Sequence, residues 1–493
     1  MAKYNSYPKY KNSGIPWLGE IPEHWEVRKL KYLADCFPSN VDKHSKEGEK
    51  KVRLCNYTDV YKNDFIRNSM QFMIASASDE QIEKFKLLSG DVIITKDSET
   101  ANDIAVPAFV IEDLENVICG YHLSIIRSYE FIDGKYIFRL FQHKRFNSQF
   151  EICSNGVTRV GLGVYDLQNA FGVCPPKQEQ TAIARFLDYK LAKINRFIQK
   201  KKQLIKLLNE QKAAIINQAV TKGLPAEAAA KAGLDANVKM KDSGIEWLGD
   251  IPEHWEVRKL KYLANAVLGK MLCNEDKGGY FKRPYLKSKN IQWLNVDFSD
   301  VEEMWFSSSE LETYRLKKGD LILSEGGEVG KTCMWNNQLE ECYIQNSAHK
   351  VTINEGNLNH YFLYLFNSYG KKGGFDSIVN RVSIAHLTKD KLINVKCLVP
   401  PLIEQQQIVS YIKQETAIIN TTISKIEKEL ALTEEYKTAL IAEAVTGKID
   451  VRGYEVPEIV EEDPDSYRDE EIEEELGMVA EDGETYQTQK EDL

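Results

Sequence analysis

SGIPWLGEIPEHWEVRKLKYLA occupies residues 13–34, and SGIEWLGDIPEHWEVRKLKYLA occupies residues 243–264. The two stretches differ only at Pro16/Glu246 and Glu20/Asp250. A second echo follows, in which PPKQEQTAIARFL from Pro175 returns as PPLIEQQQIVSYI from Pro400. Self-similarity on this scale means two copies of one module, each a globular segment followed by a long helix. Between the anchors the copies have diverged, which suggests a fixed scaffold carrying two different reading heads.

Working outward, four blocks and a tail emerge. Residues 1–174 read as a strand-rich mixed domain, with runs such as DVIIT (91–95) and HLSIIR (122–127) between Gly, Asn and Asp turns. Residues 175–222 read as a long helix announced by Pro175-Pro176, since proline is tolerated in a first helical turn. GLPAEAAAKAGLDANVKMKD (223–242) reads as a linker. Residues 243–399 repeat the globular type, with DLILS (320–324) answering DVIIT, and residues 400–450 repeat the helix.

The remaining residues, 451–493, form an acidic tail. Net charge over all 493 residues is −10, yet residues 455–493 hold 17 Asp/Glu against 2 Lys/Arg, so residues 1–454 carry +5. The body is therefore mildly basic, and the tail is expected to be disordered. Composition is otherwise ordinary for a globular protein at 43% hydrophobic and 28% charged. Without a long apolar run or a signal-like start, the chain reads as cytoplasmic. Nine cysteines without any CxxC read as thiols in a reducing compartment.

Each helix carries a heptad seam. In the first, Leu187, Ile194, Leu208 and Ile215 share one row, broken at Lys201, and Leu191, Ile198 and Ile205 interleave. In the second, Ile412, Ile419, Ile426 and Leu440 share a row broken at Thr433, while Ile423 and Leu430 lie between Thr416 and Lys437. An exposed apolar seam must be covered, and each helix is the natural cover for the other. An antiparallel pair would carry the two domains to opposite ends of a spacer roughly 65–70 Å long.

Catalytic motifs fail on spacing. SEGGEVGKT (324–332) looks like a phosphate loop, but Glu325 stands where the first glycine must be, and CMWNNQLEECYIQ reads as strand-turn-strand. GLGVYD (161–166) is too short for a dinucleotide fingerprint, and no amino-methyltransferase run, metal-binding His pair or serine elbow is found. No catalytic or metal-ligating residue is assigned. His24 and His254 repeat in two divergent domains, as do Trp17, Trp25, Trp247 and Trp255, which points to architecture.

The divergent segments mix Lys/Arg with Tyr, Asn, Ser and Thr, the side chains that reach phosphates and base edges. KKVRLCNYTDVYKNDFIR (50–67) offers Lys51, Arg53 and Asn56, and the following strand end offers Lys96 and Ser98. KRPYLKSKNIQWLN (282–295) offers Arg283, Lys287, Ser288 and Asn290, with Ser324 and Lys331 in the answering turn. GVTRVGL (156–162) adds Thr158 and Arg159, and VNRVSIAHL (379–387) adds Asn380, Arg381 and Ser383.

In order and duplication these features resemble the DNA-specificity subunits of type I restriction–modification systems, across residues 10–450. They are the IP-x-x-W-E-V opening of each domain, the Gly90-Asp91 and Gly319-Asp320 strands, the Arg-Val loops, and Pro-Pro followed by Glu179-Gln180 or Glu404-Gln405. The resemblance implies an α+β protein with two mixed α/β target-recognition domains in pseudo-twofold arrangement, joined by an antiparallel two-helix coiled coil. It implies that each domain reads half of a bipartite double-stranded DNA target. It also implies that the chain is not an enzyme and binds no cofactor. S-adenosylmethionine, ATP and magnesium would belong to two methyltransferase subunits and to restriction/motor subunits. Glu179, Gln180, Glu404 and Gln405 are candidates for docking the methyltransferases. Two rivals are a nucleic-acid-modifying enzyme and a repeated-domain adaptor that binds protein without DNA. The acidic tail lies outside the pattern.

Overall fold

Pro175-Pro176 and Pro400-Pro401 introduce two long helices, Lys177–Lys222 and Leu402–Val445, as the apolar periodicity requires. The computed structural model describes residues 4–154, 156, 159–235, 237–375 and 386–457. Thr158, Asn380, Arg381, Ser383 and the acidic strip from residue 458 onward therefore lie outside the described residues. The chain forms two compact units, residues 1–202 with 427–493 and residues 203–426. Neither boundary separates a domain from its helix. Each unit takes one globular domain and half of each helix, because a helix face must be covered by both its partner and the domain.

In unit one, Leu187, Leu191, Ile194 and Ile198 of the first helix are buried with Leu440, Ile441, Ala444 and Val445 of the second. Lys437 donates to Asn195 Oδ1 at 2.9 Å and Lys201 pairs with Glu429 at 3.0 Å. Residue numbers rise along one helix as they fall along the other, so the pair is antiparallel. In unit two, Ile216, Ala219 and Val220 are buried with Ile408, Val409 and Ile412, and Lys212 donates to Asn420 Oδ1 at 2.7 Å. Ile216 is buried where the strict seven-residue count selects Ile215. A straight helix drifts against that count over several heptads. The polar interruptions are satisfied locally, with Thr416 and Thr433 bonding back to the carbonyls of Ile412 and Glu429 at 2.7 and 2.6 Å.

The two domains share a plan. Unit one has a five-stranded sheet in the order Ala34–Pro38, Leu123–Ser128, Val92–Thr95, Pro107–Val110 and Phe65–Ile66. Its neighbours are antiparallel except for the last pair. Val92–Thr95 is buried throughout, as DVIIT suggests. Beside it lies a three-stranded sheet ordered Val117–Cys119, Lys50–Cys55 and Met73–Ala77. Unit two answers with Ala264–Leu268, Ala348–Ile353, Leu321–Ser324 and Thr332–Met334, beside Glu302–Phe306, Phe281–Leu286 and Tyr343–Ile344. Glycine is needed at Gly90 and Gly319, whose φ values are +92° and +93°. The next residue closes the turn, with Asp91 accepting from Leu88 N at 2.9 Å and Asp320 from Lys317 N at 2.7 Å.

The glycine-rich segment 324–332 connects strand Leu321–Ser324 to strand Thr332–Met334, with no helix after it, in line with its failed phosphate-loop spacing. No disulfide links the nine cysteines, and seven of them are buried.

One pH effect follows from the core of unit one. Burial, with Arg145 nearby, pushes the His143 imidazole down to about 4 from its ordinary 6.5. Its folded state resists protonation, so this contribution is intact above about 6.5 and is lost as pH falls toward 4. Unit one should lose roughly 2–3 kcal/mol across that window, and His143→Gln should flatten the slope. Urea unfolding at pH 7 and pH 4.5 checks this; equal slopes in both proteins would refute it.

Candidate nucleic-acid interface and the scaffold behind it

The repeated residues converge on one carboxylate in each copy. Glu179, in the first turn of the first long helix, accepts from Trp25 Nε1 at 2.9 Å and lies 2.7 Å from His24 Nε2. Glu404 repeats this with Trp255 Nε1 at 3.0 Å and His254 Nε2 at 2.7 Å. Both tryptophans are 0% exposed. The neighbouring glutamines tie the helix start to the domain. Gln180 accepts from Asp133 N and donates to the Pro175 carbonyl, both at 2.8 Å. Gln405 accepts from Leu358 N at 2.8 Å and donates to the Pro400 carbonyl at 3.0 Å. Glu179, Gln180, Glu404 and Gln405 are thus buried members of the domain–helix joint. The identical stretches persist because they are the two halves of that joint.

In unit one the structure gathers Lys96, Ser98 and Arg159. Strand pairing sets Val160 against Ser98 and Gly161 against Asp97. Arg159 reaches Asp97 at 3.3 Å, and His122 Nδ1 lies 2.8 Å from the same carboxylate. Lys96 Nζ sits 4.3 Å from the centre of the Tyr121 ring, and partial burial lowers its affinity for its proton. Tyr121 is exposed, and about half of the Arg159 side chain is accessible. The aromatic face of Tyr121 and the Lys96 ammonium at this sheet end can stack on a base and meet a phosphate, while Arg159 and His122 share the Asp97 carboxylate. Asp97, Tyr121 and His122 were missed by sequence reasoning, although HLSIIR and the strand after DVIIT were the signals beside them. Ser98 itself is buried.

Lys51 is exposed on strand Lys50–Cys55. Arg53 is occupied, donating to Asn68 Oδ1 and to the Asn68 carbonyl at 2.7 Å each, and it covers the Phe72 ring at 5.1 Å. Asn56 caps helix Tyr57–Tyr61. These last two hold a loop in place.

In unit two every described candidate cation has a carboxylate partner. Arg283 pairs with Glu341 at 2.8 Å, Lys331 with Glu328 at 2.8 Å, and Lys287 with Glu302. A phosphate approaching them meets the partner's negative charge as well. Ser288 and Ser324 bond each other and the Gly326 carbonyl, fixing the turn. Asn290 is buried, donating to the Asp297 and Asp300 carbonyls at 3.0 Å each. Its role is internal, since an amide can close a loop as readily as it can read a base.

Two modules of one plan, each joined to its helices through a matching Trp–His–Glu contact and diverging in their loops, make a duplicated scaffold. Residues 252–431 match the family described as the type I restriction modification DNA specificity domain. The type I restriction enzyme MjaVIII specificity subunit of Methanocaldococcus jannaschii is 22% identical over 455 residues, covering 88% of this chain and 94% of that protein. The type I restriction enzyme EcoKI specificity subunit of Escherichia coli is 22% identical over 344 residues, covering 67% and 68%. A solved chain from work on complex assembly and conformational transition of the type I R-M system superposes with a TM-score of 0.55 at 17% identity. That superposition covers 87% of this chain and 99% of the other. Over most of its length the chain is similar to type I restriction–modification specificity subunits, and residues 252–431 match that family's specificity domain. No helix among the described residues is long and apolar enough to cross a membrane.

Proposed function

We propose that this chain is the sequence-reading, non-catalytic subunit of a cytoplasmic type I complex, each domain reading one half of a bipartite duplex DNA target. The observation that carries this reading is the pair of matching Trp–His–Glu joints bearing divergent loops. Such an arrangement conserves the frame while leaving specificity free to vary. The Lys96, Tyr121, His122 and Arg159 cluster supplies the first domain's contact chemistry, and the Arg-Val loops that hold Arg159 and Arg381 face the duplex. Two methyltransferase subunits dock on the repeated scaffold and bring S-adenosylmethionine. Restriction/motor subunits bring ATP and magnesium, and this chain holds none of the three.

A mobility-shift assay against random duplex DNA tests the reading. Affinity should fall at least tenfold between 50 and 200 mM salt, as expected for a handful of phosphate contacts. Arg159→Ala should weaken cognate binding about five- to twentyfold. Absence of any shift at low salt would favour an adaptor that binds only protein. Methyl transfer or ATP hydrolysis by the pure chain would overturn the non-catalytic assignment.

A further inference from the structure

The two copies complete their buried carboxylates differently. In unit one, Glu179 Oε2 accepts from Tyr7 Oη at 2.8 Å as well as from Trp25. Tyr7 is 2% exposed; its ring meets Trp25 edge-on at 5.5 Å and lies 4.7 Å below the Arg452 guanidinium. The segment after the second long helix closes over it, with Asp450 N donating to the Asn5 carbonyl at 2.7 Å.

In unit two the phenol has no counterpart. Glu23 N bonds the Lys9 carbonyl at 3.0 Å, and Glu253 N bonds the Lys239 carbonyl at 2.7 Å, which fixes the correspondence of the two copies. Two residues earlier, Tyr7 is answered by Asn237. The segment after the first long helix does not close over the joint as Asp450–Arg452 does, but turns into helix Ala226–Lys231. What remains is a cavity of about 790 Å³ whose walls include Glu404, His254, Asn237, Asp235, Glu253 and Lys222. Glu404 is only 6% exposed and, among the described residues, has one donor fewer than Glu179. The Lys222 ammonium on the same wall donates instead to the Leu248 and Asp250 carbonyls. A buried carboxylate short of a donor favours any hydrogen-bonding group that can reach it.

We propose that this cavity docks a tyrosine-bearing segment of a partner polypeptide, whose phenol donates to Glu404 as Tyr7 does to Glu179. Asp235 and Glu253 on its wall suit a lysine or arginine next to that tyrosine, in the part Arg452 plays over Tyr7. A polypeptide fits better than a free phenol because the cavity also lacks a counterpart of Asp450–Arg452, the segment that closes over Tyr7 in the other copy. The assignment stands whether or not the duplex reading does.

The probe is a fluorescent peptide with the sequence of residues 3–12, KYNSYPKYKN, titrated into the full chain by anisotropy. Saturable binding is expected, at least tenfold weaker for the peptide with Tyr7→Phe, the fold-change of one hydrogen bond to a charged group. Asn237→Tyr supplies the phenol within the chain and should abolish peptide binding while duplex binding is retained. Glu404→Gln should weaken peptide binding. No saturable binding, or equal binding by the tyrosine and phenylalanine peptides, overturns the proposal. The peptide comparison uses the unaltered protein, so misfolding of a variant cannot obscure the result.

Discussion

Glu179→Ala should destabilise unit one by roughly 4–5 kcal/mol. The carboxylate satisfies Trp25 Nε1 and Tyr7 Oη, both on side chains almost completely buried, and it also meets His24. Removing it strands two buried donors, each costing about 1–3 kcal/mol, and leaves a cavity at the helix start. Tyr7 titrates far above its ordinary range because burial and the adjacent carboxylate oppose a phenolate, so deprotonation cannot relieve the loss. Glu404→Ala strands Trp255 but no phenol and should cost about half as much. Hydrogen exchange resolved by segment, with urea unfolding, separates the two units. Equal losses in both, or a loss below 1 kcal/mol for Glu179→Ala, would refute this account of the joint.

Asp91→Ala should cost about 3–4 kcal/mol. Asp91 is 2% exposed and takes a two-pronged contact from Arg127, with Nε at 2.8 Å and Nη2 at 2.7 Å, while closing its own turn at Leu88 N. Removing one member of a buried pair leaves the other charge without compensation. Arg127 also donates to the Lys86 carbonyl, so it cannot swing freely to water. Asp320 holds the same turn but bonds Thr352 Oγ1 at 2.6 Å instead of an arginine. Asp320→Ala should therefore cost only about 1–2 kcal/mol. The midpoint of urea unfolding at constant slope checks the contrast. A smaller loss for Asp91→Ala than for Asp320→Ala would show that the arginine contact adds nothing.

The duplicated elements were legible because the same chemistry is written twice. Trp25 with Glu179 and Trp255 with Glu404 sit about 150 residues apart in each copy, and only a shared structural duty preserves both ends of such a contact. Helix length and seam were legible from period alone. Long-range partners were not. Nothing near Arg283 announces Glu341, and nothing near Arg159 announces Asp97, because strand pairing rather than spacing brings them together. Asn290 reads as a surface reader by residue type, yet it turns inward because a loop of carbonyls needs a double donor. Tyr7 escaped notice because the echo between copies begins only after it.

Chain order sets a schedule for biogenesis. Unit two is a continuous stretch of polypeptide, whereas the core that encloses Trp25 and Tyr136 also requires Leu440, Val445 and Val451. During synthesis the later half can settle first, while the earlier half waits, its apolar surface uncovered, for residues 440–451. A nascent chain that has emerged from the ribosome as far as residue 430 should therefore display a protease-resistant second half beside a sensitive first. Truncation just before residue 440 should expose the N-terminal half to aggregation and spare its neighbour.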